Sequence, residues 1–288
     1  MFKRLLLPVA LLALLSALIP VKADQVIKAH VDHLRIQSNE HDFPTRDVYV
    51  WTPTVASSSV NQLPVVYFLH GWPGGPQSMM SAVIPALTQS FVGGEQPFIA
   101  VFPDGNAKTH SDSEWADSSD GRAMVESWLT KRVIPNVERK NIRTRSQRAI
   151  VGFSMGGYGA AMIALHHPDL FSQVGSLAGY FILDDITGAF RTADARKAQS
   201  PANYLQIANQ FNWYLAEGTN DFTIPIRGQA VTWNRSLIAL GAKVTLDQPS
   251  NYHDLTFVAH EIPELVNWLS WSSSTPTPTD IDSTTASA

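Results

Sequence analysis

The sequence predicts an α/β fold in which a mostly parallel, twisted sheet carries helices on both faces. Short apolar runs, typical of buried strands, alternate with segments of helical spacing, which is the pattern of β-α units. The segment 152–156, Gly-Phe-Ser-Met-Gly, stands between a strand-like run and a small-residue run, as expected at a sharp strand-to-helix turn. The 288 residues, 44% of them hydrophobic, suffice for a single domain, and no internal repeat is apparent.

The individual elements follow from these periodicities in chain order. The strand-like runs are residues 48–51, 65–69, 98–102, 149–153, 174–177, 213–216 and 244–246. The segments with helical spacing are residues 81–89, 123–140, 158–166, 231–240 and 261–269. In a parallel sheet of this kind, the functional groups lie on loops at the carboxyl ends of the strands.

The amino-terminal segment has the composition of an export signal. Two basic residues precede the apolar run 5–19, and small residues lead to a cleavage site after Ala23. Because Pro8 interrupts the run and Pro20 ends it, the run is short for a membrane-spanning helix. We therefore expect residues 1–23 to be removed and the mature chain to lack a membrane span.

The remaining chain divides into one folded domain, residues 24–271, and a tail, residues 272–288. The tail is rich in Ser, Thr, Pro and Asp without apolar periodicity, which predicts disorder. Loss of the signal removes three basic residues and no acid, so the formal charge of −4 becomes more negative and disfavours nucleic acid as a partner. The chain has no cysteine. A periplasmic or secreted bacterial protein fits these features; the oligomeric state is not predicted.

Ser154 is the candidate nucleophile at the centre of the G-x-S-x-G segment. A strand-to-helix turn lifts the hydroxyl of its serine above the end of the sheet, and flanking glycines avoid a collision with the neighbouring backbone. A serine hydroxyl requires a histidine to take its proton and a carboxylate to orient that histidine. In this arrangement the chain order is Ser, acid, His.

Four histidines follow the serine, and their positions separate them. His166 and His167 end the helix that begins at the turn, so they lie far from the serine. His253 follows the last predicted strand through a turn-like segment, which places it on a loop at the catalytic edge. His260 lies later, before the final predicted helix. We expect His253 to be the general base, with His260 as the alternative.

The acid is expected on the loop after the strand 213–216. Asp221 lies deeper in that loop, whereas Glu217 is close enough to the strand to brace the turn instead. Asp221 is therefore the first candidate, with Glu217 second. Asp184 and Asp185, after the preceding strand, are a third possibility, and Asp254 adjoins the histidine too closely to fold back on it.

Stabilising the oxyanion of an acyl transfer requires hydrogen-bond donors, which backbone amides supply. One candidate is the N–H of Met155, the residue after the nucleophile. The second is the N–H of Trp72, in the glycine-rich turn that follows the strand 65–69.

These residues resemble the esterase D family of α/β-hydrolases, which includes S-formylglutathione hydrolases, feruloyl and acetylxylan-type esterases, enterochelin esterases and mycolyltransferases. The resemblance spans residues 63–268. It rests on the motifs Leu69-His70-Gly71, Phe102-Pro103-Asp104-Gly105, Ser-Met-Gly-Gly-Tyr-Gly at 154–159, His167-Pro168-Asp169-Leu170-Phe171, and on His253. It implies the α/β-hydrolase fold, a Ser/acid/His triad whose acid aligns best with Asp221, backbone oxyanion donors, and neither a metal nor an organic cofactor.

The residues and the resemblance together predict an exported serine carboxylic-ester hydrolase that acts through an acyl-enzyme on a small or carbohydrate-linked ester. An acyltransferase that passes the acyl group to a sugar hydroxyl is an alternative, because the choice of acceptor depends on how the site excludes water. A non-catalytic envelope-binding protein on the same fold is an alternative of another class. Trp115 and Tyr180, on segments that could cover the site, are candidates to stack on the substrate.

Overall fold

The computed structural model describes residues 28–40, 43–54, 63–183, 185–224 and 226–271. The expected export signal and the expected disordered tail therefore lie outside the described residues. Within the described ranges, no helix combines the length and the apolar composition needed to cross a membrane.

One sheet of eight strands forms the centre of the molecule. The strands are β1 (Ala29–Glu40), β2 (Phe43–Pro53), β3 (Val65–Leu69), β4 (Ile99–Pro103), β5 (Arg148–Phe153), β6 (Gln173–Leu177), β7 (Asn212–Ala216) and β8 (Lys243–Asp247). Their order across the sheet is β1-β2-β4-β3-β5-β6-β7-β8. Strands β3 to β8 run parallel to one another, whereas β2 pairs antiparallel with both β1 and β4. The prediction of a mostly parallel sheet is confirmed.

Helices lie on both faces of the sheet. They are α1 (Pro76–Val92), α2 (Val125–Trp128), α3 (Ile134–Glu138), α4 (Met155–His166), α5 (Ala193–Ala198), α6 (Leu205–Ala208), α7 (Gln229–Ala239) and α8 (Leu255–Trp268). Single-turn 3₁₀ helices cover Arg145–Gln147 and Pro201–Tyr204.

The period-2 alternation of strand side chains divides the core into two layers. On β3, Val65 and Tyr67 pack into the layer beneath α4 and α7, while Val66 and Phe68 pack into the layer beneath α1 and α8. Both faces of the central strands are buried, which explains why their sequences read as continuous apolar runs.

The sequence pattern missed β1. This strand lies at the edge of the sheet, and most of its side chains are exposed, including that of Val31. Among its described side chains, only those of Leu34, Ile36 and Ser38 turn towards the core, so the apolar alternation of this edge strand is too short to reveal it.

Three predicted helices differ from the structure. Helix α1 begins at Pro76, five residues before the predicted segment 81–89. The segment 123–140 is helical from Val125 to Glu138, but a π-helical turn, Leu129–Val133, lies between α2 and α3. Pro135 explains this change of helix type, because it cannot donate a backbone hydrogen bond to the preceding turn. Helix α8 begins at Leu255, earlier than predicted, because the Asp254 carboxylate caps it by accepting from the amides of the first turn.

Candidate active site

Ser154 lies in the sharp turn between β5 and α4. Its φ angle of 55° falls in the left-handed region that residues with a side chain rarely adopt. The turn depends on glycine at two neighbouring positions. A Cβ at Gly152 would collide with the carbonyl oxygen of Gly156, and a Cβ at Gly156 would collide with that of Leu69. The backbone therefore packs closely enough to hold Ser154 above the carboxyl end of β5.

A chain of hydrogen bonds joins Ser154 to His253 and Asp221. The distance from His253 Nε2 to Ser154 Oγ is 2.9 Å, and that from His253 Nδ1 to Asp221 Oδ2 is 2.7 Å. Because an ionised carboxylate only accepts, His253 carries a proton on Nδ1 and leaves Nε2 free to accept the proton of the serine hydroxyl. The geometry matches that of a nucleophile, a general base and the acid that orients it.

The loops after β7 and β8 are bonded to each other, and this connection brings the acid to the histidine. The amide of Thr219 donates to the carbonyl of Pro249 at 2.8 Å, and the amide of Asn220 donates to that of Asn251 at 3.1 Å. The second carboxylate oxygen of Asp221 accepts from the amide of Thr223 at 2.9 Å. Asp221 is 1% exposed, so its carboxylate is fixed in a buried position.

Glu217, the second candidate acid, has a different role. Its carboxylate accepts from the amides of Gly228 and Ala230, at the start of α7. Glu217 therefore braces the turn between β7 and α7 and does not contact His253. A carboxylate near the amino terminus of a helix is stabilised by the helix dipole.

The other acids considered from the sequence are also absent from this hydrogen-bonded chain. Asp185 accepts from the amides of Ala189 and Phe190, and Asp254 caps α8. Asp184 lies outside the described residues. Among the acids that the structure describes, Asp221 is the one hydrogen-bonded to His253.

The remaining histidines lie elsewhere. His166 and His167 contact the carboxylate of Glu126, at the end of α4 far from Ser154. His260 lies within α8 and not before the final helix, so the predicted position of His260 is wrong. The earlier start of α8 accounts for this difference.

The glycine-rich turn after β3 lies against the nucleophile. An ideal Cβ built on Gly71 would be 3.0 Å from the Cβ of Ser154, and Trp72 is the next residue. Met155 is the first residue of α4, where backbone amides have no acceptor within the helix. Both turns thus border the position at which a substrate carbonyl would meet Ser154. The use of the Trp72 and Met155 amides as oxyanion donors stays a prediction.

His70 fixes this turn from within. Its Nδ1 lies 3.0 Å from the carbonyl oxygen of Gly71, and its Nε2 accepts from the amide of Gly105 at 2.9 Å. The indole of Trp115 donates to the His70 carbonyl at 3.0 Å. The sequence pattern alone assigns no role to His70. The signals that could have revealed its contact with the Gly105 amide are its position directly after β3 and the Asp104-Gly105 motif after β4.

The prediction that Trp115 stacks on the substrate is wrong. Its side chain is fully buried, and a Cβ at Gly105 or Gly159 would collide with it. Trp115 therefore fills the space beneath the glycine-rich turn, where the two glycines make room for the indole. Loop position suggested exposure, but the segment folds inward against β4 and α4.

Tyr180 is also buried, so its predicted contact with substrate is wrong as well. Its ring stacks on Tyr158 with centroids 4.9 Å apart, and its hydroxyl donates to the Glu114 carboxylate. Burial, together with the nearby charge of Glu114, raises the pKa of Tyr180 well above its ordinary value. Tyr180 remains protonated and serves as a hydrogen-bond donor within the core.

A cleft of about 500 Å³ opens beside the turn that carries Ser154. Its lining residues are His70, Gly71, Trp72, Pro73, Gly74, Ser78, Met79, Phe153, Asp254, Leu255 and Thr256. The ring of Phe153 lies 4.8 Å from that of His253, so the cleft reaches the edge of the hydrogen-bonded chain. Its volume is within the range of pockets that bind small molecules.

Comparison with known proteins identifies the family to which this chain belongs. The model of a protein family described as putative esterase matches residues 44–236. Poly(3-hydroxyalkanoate) depolymerase C from Paucimonas lemoignei is 22% identical over 215 residues, which cover 70% of this chain and 48% of the relative. The chain thus spans about half the length of that relative.

Solved structures show the same fold at low identity. A ferulic acid esterase has a TM-score of 0.70 at 20% identity, covering 84% of this chain and 98% of the other. An S-formylglutathione hydrolase from Agrobacterium tumefaciens has a TM-score of 0.67 at 16% identity, covering 84% and 94%. These neighbours confirm the α/β-hydrolase fold that the motifs indicate.

Proposed function

Because this chain belongs to the esterase family, we propose that it hydrolyses carboxylic esters through an acyl-enzyme intermediate formed on Ser154. The observation that carries the proposal is the chain of two hydrogen bonds from Ser154 through His253 to Asp221. Family membership favours an enzyme over a non-catalytic envelope-binding protein of the same fold.

The roles follow from the positions of the donors and acceptors. Ser154 Oγ attacks the ester carbonyl while His253 Nε2 accepts the hydroxyl proton, and Asp221 stabilises the imidazolium that forms. The amides of Met155 and Trp72 stabilise the oxyanion. The carbon–oxygen bond to the alcohol then breaks, and His253 gives the proton to the leaving alcohol. Water completes the cycle by attacking the acyl-enzyme, with His253 again as the base.

Water is the proposed acceptor because solvent reaches His253, the proposed general base. The side chain of His253 is 20% exposed, whereas that of Asp221 is buried. A sugar hydroxyl would have to compete with water at this position. Transfer to a sugar is tested by adding the alcohol and measuring acylated product against free acid.

We propose a small or carbohydrate-linked ester as the substrate. The similarity in fold to a ferulic acid esterase supports an ester of this kind. The burial of Trp115 and Tyr180 removes the aromatic platform expected for a sugar or aromatic acyl group. The composition of residues 1–23 supports export to the periplasm or medium, which amino-terminal sequencing of the mature protein would test.

The first experiment measures hydrolysis of p-nitrophenyl butyrate by the purified protein, Ser154→Ala and Ser236→Ala. Ser236 is a partly exposed serine on α7 whose hydroxyl donates to the carbonyl of Thr232 in the same helix. We expect Ser154→Ala to lose both turnover and covalent labelling by a fluorophosphonate, while Ser236→Ala retains both. A folded wild-type protein that neither turns over nor labels, or label found on a serine other than Ser154, would contradict the proposal.

A further inference from the structure

The glycine-rich turn, residues 71–75, is held by the segment that follows β4. Strands β3 and β4 are parallel neighbours, so their carboxyl ends lie side by side and the two segments that follow them meet. His70 contacts the start of the turn through the Gly71 carbonyl, as described above. The end of the turn is held separately, because the side-chain amide of Asn106 donates to the carbonyl of Gly74 at 3.1 Å.

The carboxylate of Asp104 fixes the direction of the Asn106 side chain. One oxygen, Oδ1, accepts from the backbone amide of Asn106 at 3.0 Å and from its side-chain nitrogen Nδ2 at 2.9 Å. The first bond is an Asx turn, in which an aspartate holds the backbone two residues further on. The Asp104 carboxylate and the Gly74 carbonyl only accept hydrogen bonds, so the nitrogen of the Asn106 amide, and not its oxygen, must face them.

Asp104 is itself tied to the sheet and is charged. Its backbone amide donates to the carbonyl of Asp47, on the neighbouring strand β2, at 2.9 Å. Burial raises the pKa of the Asp104 carboxyl, but the His70 ring and the backbone amide of Asn106 lower this pKa more, so the net shift is downward. At neutral pH, Asp104 is therefore an ionised acceptor in a fixed position.

These contacts determine the direction of the Trp72 amide. The Gly71 carbonyl and the Trp72 N–H belong to one peptide group, and a peptide group is planar, so fixing the carbonyl also fixes the N–H. The Gly71 carbonyl contacts His70 and accepts from the amide of Gly74 at 2.8 Å. Gly74 can donate this bond only while it stays in place, and the bond from Asn106 holds it there.

We propose that Asn106, oriented by Asp104, is a positioning residue that aims the Trp72 amide at the oxyanion formed at Ser154. This role rests on the proposed function and adds to it two residues whose bonds go to the backbone of the turn. A donor that is already aimed at the developing charge stabilises it without reorganisation during the reaction. The same role gives a physical reason for the Asp104-Gly105 motif after β4.

The effect of a misdirected amide differs from that of lost stability. The oxyanion forms only after Ser154 attacks, so a misdirected Trp72 amide weakens the transition state and leaves substrate binding unchanged. Propyl trifluoromethyl ketone, an analogue of a butyryl ester, forms a tetrahedral oxyanion with a catalytic serine and should lose affinity as kcat falls. A partly unfolded variant has fewer active molecules, so its kcat falls while the inhibition constant of the folded fraction is unchanged.

The test compares Asn106→Ala, Asp104→Ala and Asp104→Asn on p-nitrophenyl butyrate, with propyl trifluoromethyl ketone as the inhibitor. Asn203→Ala is the matched control, because Asn203 Nδ2 also donates to a backbone carbonyl, that of Lys197, at an exposed position. Folding is checked by circular dichroism and thermal melting. Asn106→Ser takes the place of Asn106→Ala if the latter does not fold, since the serine side chain is too short to replace the Nδ2 donor.

We expect Asn106→Ala and Asp104→Ala to lower kcat roughly ten- to thirtyfold and to raise the inhibition constant of the ketone by the same factor. Their KM should stay within about twofold of wild type. Asp104→Asn keeps an acceptor oxygen for Asn106 and should retain kcat within about threefold. Asn203→Ala should match wild type in kcat, KM and the inhibition constant.

Three results would overturn the role of Asn106 while leaving the proposed function intact. They are a wild-type kcat in Asn106→Ala, a fall in kcat with an unchanged inhibition constant, and equal losses in Asn106→Ala and Asn203→Ala. Equal impairment of Asp104→Asn and Asp104→Ala would overturn the role of Asp104 as the acceptor. A wild-type protein that neither hydrolyses the ester nor reacts with a fluorophosphonate would instead contradict the proposed function itself.

Discussion

The indole Nε1 of Trp115 donates a hydrogen bond of 3.0 Å to the backbone carbonyl of His70. This bond connects the segment after β4 to the glycine-rich turn that lies against Ser154. His70 holds the same turn through the Gly71 carbonyl, so two side chains position the backbone that carries the proposed Trp72 donor. The turn is thus supported by contacts that never reach the substrate.

Trp115→Phe should lower kcat about five- to tenfold, because one neutral hydrogen bond contributes about 1 kcal/mol and its loss loosens the oxyanion turn. We expect KM to stay within twofold. Steady-state kinetics on p-nitrophenyl butyrate measure both constants. Trp233→Phe, on the buried face of α7, is the control and should lower thermal stability without changing kcat. Equal kcat losses in the two variants would show that Trp115 acts only through stability.

Asp221→Asn should lower kcat by roughly four orders of magnitude, because an amide does not hold His253 in the tautomer that accepts the serine proton. Glu217→Gln should instead lower the free energy of unfolding by about 1–3 kcal/mol, since it disrupts buried bonds to the start of α7. Its kcat should match wild type at a temperature where it is folded. Steady-state kinetics and urea unfolding of both variants test these expectations. A kcat loss confined to Glu217→Gln would show that Glu217, and not Asp221, is the acid that orients His253.

Stability should fall as pH rises from about 4.5 to about 7 because of Glu261. Burial, together with the charges of Asp247 and Glu264, raises the pKa of Glu261 to about 7, although the Tyr214 hydroxyl opposes the shift. The folded state therefore retains a proton that the unfolded state releases near its ordinary pKa of about 4.3.

Glu261→Gln should accordingly increase the free energy of unfolding at pH 8 and change it little at pH 4.5. Urea unfolding across this pH interval measures the difference between variant and wild type. Glu264→Gln, on an exposed position of the same helix, is the control and should show a smaller dependence on pH. A constant difference across the interval would show that Glu261 is ionised in the folded state throughout.

His166 should stabilise the protein at acidic to neutral pH and lose this effect at alkaline pH. Burial lowers its pKa, but the hydrogen bond and charge of Glu126 raise it more, so the net shift is upward. The contribution is complete below the unfolded pKa of about 6.5 and disappears as pH rises through the folded value. The cationic ring can donate to both Glu126 and the Ala198 carbonyl, which a neutral ring cannot.

His166→Ala should therefore lower the melting temperature more at pH 6 than at pH 9. Thermal melts at both values test this, with His30→Ala on the exposed edge strand as the control. A melting-temperature loss that is the same at both pH values would indicate lost packing in place of lost charge.

The elements of the central sheet could be predicted because their signals are local. A parallel strand buried on both faces is mostly apolar, and β3, β4 and β5 show this as short continuous runs. The turn around Ser154 could also be predicted, because a Cβ at Gly152 would collide with backbone only a few residues away. The mostly exposed strand β1 and the π-helical turn within residues 123–140 have weaker local signals, which explains why the sequence pattern did not reveal them.

The sequence by itself determined the fold class, the position of the candidate nucleophile and the chain order in which a candidate acid and a histidine follow it. Only the tertiary structure decided which carboxylate meets His253, because Asp221 and Glu217 share one loop and differ in the direction of their side chains. It also decided that Trp115 and Tyr180 are buried. Burial depends on contacts between segments that are distant in the chain, and the local composition of a segment does not predict those contacts.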